Sequence, residues 1–278
     1  MIRSGPRRAF ARLRTNRPLP TAGRGLVFVH VPKCGGTSVE RALRRAYPIG
    51  RRQIAPDETY AAARMMLGPV PGSDDEEASR HEALMRASEL RRDLLHLHLA
   101  EGARLVTGHA PLGPRTLDAV SGTHDVVTVM RGPVERMTSH LAFNRTAAAG
   151  HGRSGLAVSD MLETPRARVM GALYVKYFGG LPMDADLAAP AAIDAARRAI
   201  DRLALVGFTD AMDAFADRLA TLTGKTIRIG HENRGAPKPL PPGAAARIED
   251  LCAPDIAVYA HARERFGERR SSARGASG

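Results

Sequence analysis

The run Leu26-Val27-Phe28-Val29-His30-Val31, followed at once by Pro32-Lys33-Cys34-Gly35-Gly36-Thr37-Ser38, restricts what this chain can fold into more than any other feature. The run is apolar and β-branched without alternation, the pattern of a strand buried on both faces of a parallel sheet. Pro32 to Gly36 predicts a turn. After it, Val39, Ala42, Leu43 and Ala46 recur at helical spacing, with Thr37 at the N-cap position. A strand, a glycine-rich turn and a helix make a phosphate cradle, because backbone N–H groups and a positive helix terminus converge there. Gly35 and Gly36 let the backbone approach an anion. Lys33 adds a point charge, and Thr37 and Ser38 add hydroxyls. Cys34 lies inside the same loop, and a helix N-terminus beside Lys33 predicts a lowered thiol pKa for it. The ATPase loop places its lysine after the glycines, whereas Lys33 precedes them, which disfavours an ordinary ATPase or kinase. The reading without a ligand is a tight structural turn carrying a surface lysine.

The rest of the chain repeats the alternation. Leu105-Val106-Thr107 predicts a strand ending at Gly108-His109. Asp125–Met130 predicts another, running into Arg131-Gly132-Pro133, with Pro133 in the first turn of a helix. Leu203–Phe208 predicts a further strand, and Asp210 a cap for the helix after it. Residues 244–266 read as helical with a break near Pro254. Strands alternating with helices argue for an α/β fold with a parallel sheet. Residues 51–103 read as a helical insertion that frames a substrate cleft. Residues 230–243 are a Gly/Pro-rich loop able to close over a ligand with Asn233, Arg234 and Lys238. The domain predicted is thus 25–267, between a basic disordered arm (1–24) and a disordered tail (268–278).

The net charge of +12 looks like a nucleic-acid signal, but its distribution argues otherwise. Residues 1–24 hold seven arginines and no acid, and residues 268–278 three arginines and one glutamate, which leaves only three net charges for the domain. No nucleic-acid partner is expected. The arm reads as solvated, with peripheral contact to an anionic membrane surface the lesser reading. Two cysteines, Cys34 and Cys252, make neither a disulfide framework nor a zinc pattern, and no metal is expected. No apolar stretch reaches the roughly 18 residues of a membrane span, so a cytoplasmic location is expected. The composition leaves the oligomeric state open.

Two further groups carry chemistry. Arg131 sits at the carboxyl edge of a strand, where α/β sheets bind ligands, and Ser139 is two helical turns on, so both can face one phosphate. His109, also at a strand end, has the residue type for removing a hydroxyl proton near neutral pH. A purely structural histidine is the alternative. His30 falls within the buried strand and is the weaker candidate.

Together, His30-Val-Pro-Lys33-Cys-Gly-Gly-Thr-Ser38 and Arg131-Gly-Pro-Val-Glu-Arg136-Met-Thr-Ser139 resemble the PAPS-dependent sulfotransferases, in particular the branch of the heparan sulfate 2-O-sulfotransferases and bacterial carbohydrate sulfotransferases. The resemblance continues through Gly108-His109, Val206–Asp210, Glu232-Asn233-Arg234 and Asp255–Tyr259, so it spans about residues 25–266. It departs at Cys34, where threonine is frequent, and at Gly132, where aspartate is usual. It implies a three-layer, P-loop-NTPase-like sulfotransferase fold with PAPS as sulfuryl donor. It also implies a 5′-phosphosulfate loop at Lys33, Cys34, Gly35, Gly36, Thr37 and Ser38, a 3′-phosphate site at Arg131 and Ser139 with Arg234 nearby, and His109 as base. The implied acceptor is a carbohydrate hydroxyl. The 3-O-type sulfotransferases offer a carboxylate base instead, for which Asp57 or Glu58 stands in position. Two other functions remain open: an ATP-using phosphotransferase with an atypical loop, and a non-enzymatic polyanion-binding protein.

Overall fold

The computed structural model describes residues 23–68, 76–146, 155–182, 184–230 and 240–267. In chain order the first elements are β1 (Gly25–Val29), α1 (Gly36–Ala46), β2 (Arg51–Ile54), α2 (Pro56–Leu67), α3 (Glu76–Ala100), β3 (Leu105–Gly108), α4 (Pro114–Val120) and β4 (His124–Met130). Then come α5 (Pro133–Thr146), α6 (Val158–Leu162), α7 (Pro165–Gly171), α8 (Leu173–Phe178), α9 (Pro190–Asp201), β5 (Leu205–Phe208), α10 (Met212–Thr223) and α11 (Ala244–Phe266). The strands form one five-stranded sheet in the order β2-β3-β1-β4-β5, with every pairing parallel.

β1 shows why its sequence is apolar throughout. Leu26 and Phe28 pack with Leu43 of α1 and Leu219 of α10 on one face. Val27 and Val29 pack on the other with α8, α9 and α11 through Tyr174, Ile200 and Val258. A strand flanked by β3 and β4 and covered on both sides has no solvated face. The result is the expected three-layer α/β architecture with a central parallel sheet.

Several local expectations are corrected. The first strand ends at Val29, so His30 comes after it rather than lying within it. The stretch 51–103 is not wholly helical: Arg51–Ile54 is the edge strand β2, paired to β3, and the helices α2 and α3 come after it. Its exposed Arg51, Arg52 and Gln53 conceal it, since an edge strand need not be apolar on both faces. Thr37 is not the N-cap of α1. Gly35 is, in the left-handed region at φ 72°. Asp210 does not cap α10, whose N-cap is Ala211; Asp210 instead accepts a hydrogen bond from Arg263. α11 runs unbroken through Pro254. Arg24 belongs to the domain rather than to an arm: its guanidinium bonds Asp125 Oδ1 at 2.7 Å and the carbonyls of Ser121 and His124. Residues 1–22, the tail 268–278, and Asn233, Arg234 and Lys238 lie outside the described residues.

Candidate active site

The adjacent central strands β3, β1 and β4 deliver Gly108-His109, His30 and Arg131 to the same sheet edge. Their register is tight: Val29 pairs with Gly108 on one side and Thr128 on the other. This carboxyl edge is where doubly wound sheets bind ligands, because helix N-termini open onto it. A cavity of about 1190 Å³ lies there, lined by the loop 30–38 (apart from Val31 and Cys34), by His109, Arg131, Ser139 and Thr209, and by side chains of α2, α3, α7 and α8.

The two loop glycines are needed for different reasons. Gly35 has φ 72°, a conformation L side chains rarely adopt, while a Cβ there would meet only Thr209 at 3.9 Å. Gly36 is required by space, because a Cβ there would overlap the His30 ring. Lys33 also has a positive φ, 67°. A non-glycine residue held there costs on the order of 1–3 kcal/mol and is found where surrounding structure enforces it. α1 then begins with no side-chain cap and no acid in its first turn, and carries Arg44 and Arg45 in its last. Gly36, Thr37 and Ser38 of this N-terminus line the cavity, and the positive end of a helix favours an anion there.

Lys33 lies 3.2 Å above the centroid of the Phe143 ring, and burial lowers its pKa to about 8. A ring face balances an ammonium only partly, so the charge still gains from an anion. Arg131 is lightly held. Its Nε is 3.4 Å from Glu135 Oε2, and the pair is 35% and 70% exposed, a geometry worth about 0–1 kcal/mol. Ser139 stands on the same cavity wall, on α5.

His109 rests on His30, with ring centroids 4.2 Å apart. Its Nδ1 is 2.5 Å from the His30 carbonyl. A carbonyl only accepts, so Nδ1 carries the proton and the lone pair of the neutral ring sits on Nε2. His30 in turn has its own Nδ1 3.3 Å from the buried Glu40. Of the rival carboxylates, Asp57 lines the cavity, whereas Glu58 is exposed and absent from its wall.

Cys34 departs from expectation. It is 1% exposed and points into the core, its Sγ 3.4 Å from Tyr174 Oη, and burial raises its pKa rather than lowering it. Alone with Val31 among the loop residues, it is absent from the cavity wall. Nothing in the sequence singled out Tyr174. Its hydroxyl donates to the Arg131 carbonyl at 2.5 Å and accepts from the Arg131 amide at 2.8 Å, so it ties the segment carrying Arg131 to the loop residue Cys34. Arg136, from the second motif, is turned away from the cavity and fully buried, bonded to Asp255 at 3.0 Å and to the carbonyl of Met170. Lys176 and Arg91 also escaped sequence reasoning, although both line the cavity. Lys176 had a signal: it is the one charge in the apolar run Leu173–Phe178.

No family model matches the sequence, and no curated protein matches it. Among solved structures, a sulfotransferase from Alicyclobacillus acidocaldarius matches at 17% identity over 90% of this chain and 98% of its own, with a TM-score of 0.44. So loose a superposition carries no argument about chemistry. Among the described residues no helix is long and apolar enough to cross a membrane, and no group of three or more His, Cys, Asp or Glu is placed to hold a metal.

Proposed function

We propose that the protein is a PAPS-dependent sulfotransferase that moves a sulfuryl group to an acceptor hydroxyl, with a carbohydrate as the favoured acceptor. The observation that carries this reading is the convergence in one cavity of an uncapped helix N-terminus with Lys33, of Arg131 and Ser139, which can make a second anion position, and of a histidine whose lone pair is on Nε2. One phosphate position would suit many nucleotides. A second one is what a 3′-phosphate requires.

In this reading the loop amides with Thr37 and Ser38 hold the 5′-phosphate, and Arg131 and Ser139 hold the 3′-phosphate. Arg234 enters by resemblance alone. His109 takes the proton of the acceptor hydroxyl on Nε2 as the acceptor oxygen–sulfur bond forms. The bond from sulfur to the bridging oxygen breaks on the opposite side, and Lys33 neutralises the charge that the departing phosphate gains. The protein's contribution is alignment and charge stabilisation, as in phosphoryl transfer.

Calorimetry with 3′-phosphoadenosine-5′-phosphate against ADP tests the donor class. The expected result is a strong preference for the former that falls when Arg131 is changed to Ala. Equal binding, or Mg²⁺-dependent ATP turnover, overturns the reading in favour of a phosphotransferase.

A further inference from the structure

The cavity has a second basic pole, on elements other than those that carry Lys33, Arg131 and Ser139. It lies on α2, α3, α7 and α8, and three of its cations are more than nine-tenths buried: Arg91 at 6%, Arg166 at 4% and Lys176 at 8% exposure. Their acids differ. Arg166 is paired with Glu77 at 3.0 Å. Arg91 gives hydrogen bonds to neutral oxygens, Thr59 Oγ1 at 2.8 Å and the Pro56 carbonyl at 3.1 Å, with Asp57 acting on it electrostatically. Lys176 has no carboxylate within ion-pair distance among the described residues. Its Nζ meets the thioether of Met85, at 3.2 Å.

A buried ammonium on a sulfur is poorly compensated, and such a charge is costly unless it is paired. The neighbours make the balance worse: Arg91 is close enough to disfavour the ammonium, and burial with Arg91 lowers its pKa to about 7. His81 on α3 faces the same group, and its own charged form is disfavoured by burial, by Lys176 and by Arg166, against a smaller favourable effect of Glu77. Cations thus outnumber acids on this wall, and the excess is on Lys176.

The second pole is joined to the proposed base. The Tyr177 hydroxyl reaches the His109 carbonyl at 3.4 Å, and Arg91 acts on it electrostatically. Lys176, Tyr177 and His109 all line the one cavity. The cavity, at about 1190 Å³, exceeds the roughly 300–1,000 Å³ typical of single-ligand pockets, which leaves room for a second reactant.

We propose that Lys176, supported by Arg91, is an anion subsite for the acceptor, so that the acceptor carries a carboxylate or a sulfate ester beside the hydroxyl that is modified. This rests on the sulfotransferase reading for the word acceptor, but the subsite itself is defined by binding alone. The subsite uses charge-assisted hydrogen bonds from a desolvated ammonium, which discriminate strongly between an anion and a neutral isostere.

The test uses the full chain saturated with 3′-phosphoadenosine-5′-phosphate, and the probes methyl β-glucuronide, glucose 6-sulfate and methyl β-glucoside. At least one anionic sugar should bind on the order of tenfold or more tightly than the neutral glucoside, and which one does so separates carboxylate from sulfate recognition. The preference should vanish in Lys176→Met and persist in Lys176→Arg, with nucleotide affinity unchanged in both. Removing a buried charge is not expected to unfold the domain, and Lys176→Gln with thermal unfolding checks this. Equal binding of the three sugars to the native protein overturns the subsite, as does a preference that survives in Lys176→Met or Lys176→Gln. Should the nucleotide fail to bind, the donor reading falls, and the same sugar titrations on the protein alone still decide the subsite.

Discussion

Lys33 concentrates two costs in one residue, a left-handed backbone and a partly desolvated charge. Neither helps the fold, so function and stability should separate on substitution. Lys33→Gly relieves both and should raise or preserve thermal stability, by about 1 kcal/mol if the backbone cost is typical, while lowering sulfuryl transfer by on the order of 10²–10³. Unfolding curves and initial rates on the same preparation check this, and a variant with full activity removes Lys33 from the mechanism. The depressed pKa gives a second prediction. Near neutral pH Lys33 is mostly charged. As pH rises through about 8, the ammonium of the ligand-free site loses its proton, whereas one facing a phosphate keeps it. Nucleotide affinity should therefore weaken above that pH, approaching tenfold per unit, with uptake of close to one proton on binding. Calorimetry in buffers of different ionisation enthalpy measures the uptake. Lys33→Gly should abolish it, and the comparison removes any contribution from Lys176, which titrates nearby.

At the scale of elements, the segments that face the proposed donor are held by a buried bracket made from α5, α8 and α11. Arg136 of α5 meets Asp255 of α11, and Asp255 also accepts from the amides of Tyr174 and Val175 at the start of α8. Burial pushes the Asp255 carboxyl up to about 6 even though Arg136 and these amides pull it down. Removing one partner of such a pair strands the other charge, so Asp255→Ala should destabilise the domain by about 3–5 kcal/mol, read by denaturant unfolding. Tyr174→Phe is subtler. It removes the hydroxyl that bonds both backbone groups of Arg131 and contacts Cys34, while keeping the ring. The expected result is a larger loss in nucleotide affinity than in stability, with rescue by neither Trp nor Leu. An unchanged affinity would mean that the bracket supports the fold only.

For the whole molecule, the cavity opens at the carboxyl edge of the sheet and draws its walls from segments spread along the chain, from His30 to Gly230. Ligand occupancy should therefore stabilise the domain as a unit. At a hundredfold excess over Kd, 3′-phosphoadenosine-5′-phosphate should add about 2.7 kcal/mol, visible as a rise of roughly 5–10 °C in unfolding temperature. ADP at equal concentration should give much less. Removing residues 1–22 should leave turnover within about twofold, because it keeps Arg24, which clasps Asp125, and every residue assigned to the site. Loss of activity on that truncation would favour the polyanion-binding reading.

The amino-acid sequence alone determined the parallel α/β class, the loop at Lys33–Ser38 and the placing of His109 and Arg131 at strand ends. These are local signals: an unbroken apolar strand, a glycine pair, a proline that opens a helix. Only the tertiary structure decided which side chains of those motifs reach the cavity. Cys34 and Arg136 sit in the two motifs yet face the core, because a helix or loop turns successive side chains through different directions and only packing says which direction is inside. Edge strand β2 stayed hidden because its exposed residues need not be apolar. Lys176, Arg91 and Tyr174 come from segments far from either motif in sequence, and they acquire meaning only where α3 and α8 close on the sheet edge. A charge becomes chemically significant when its surroundings remove water from it, and that is a property of the packed molecule rather than of the chain.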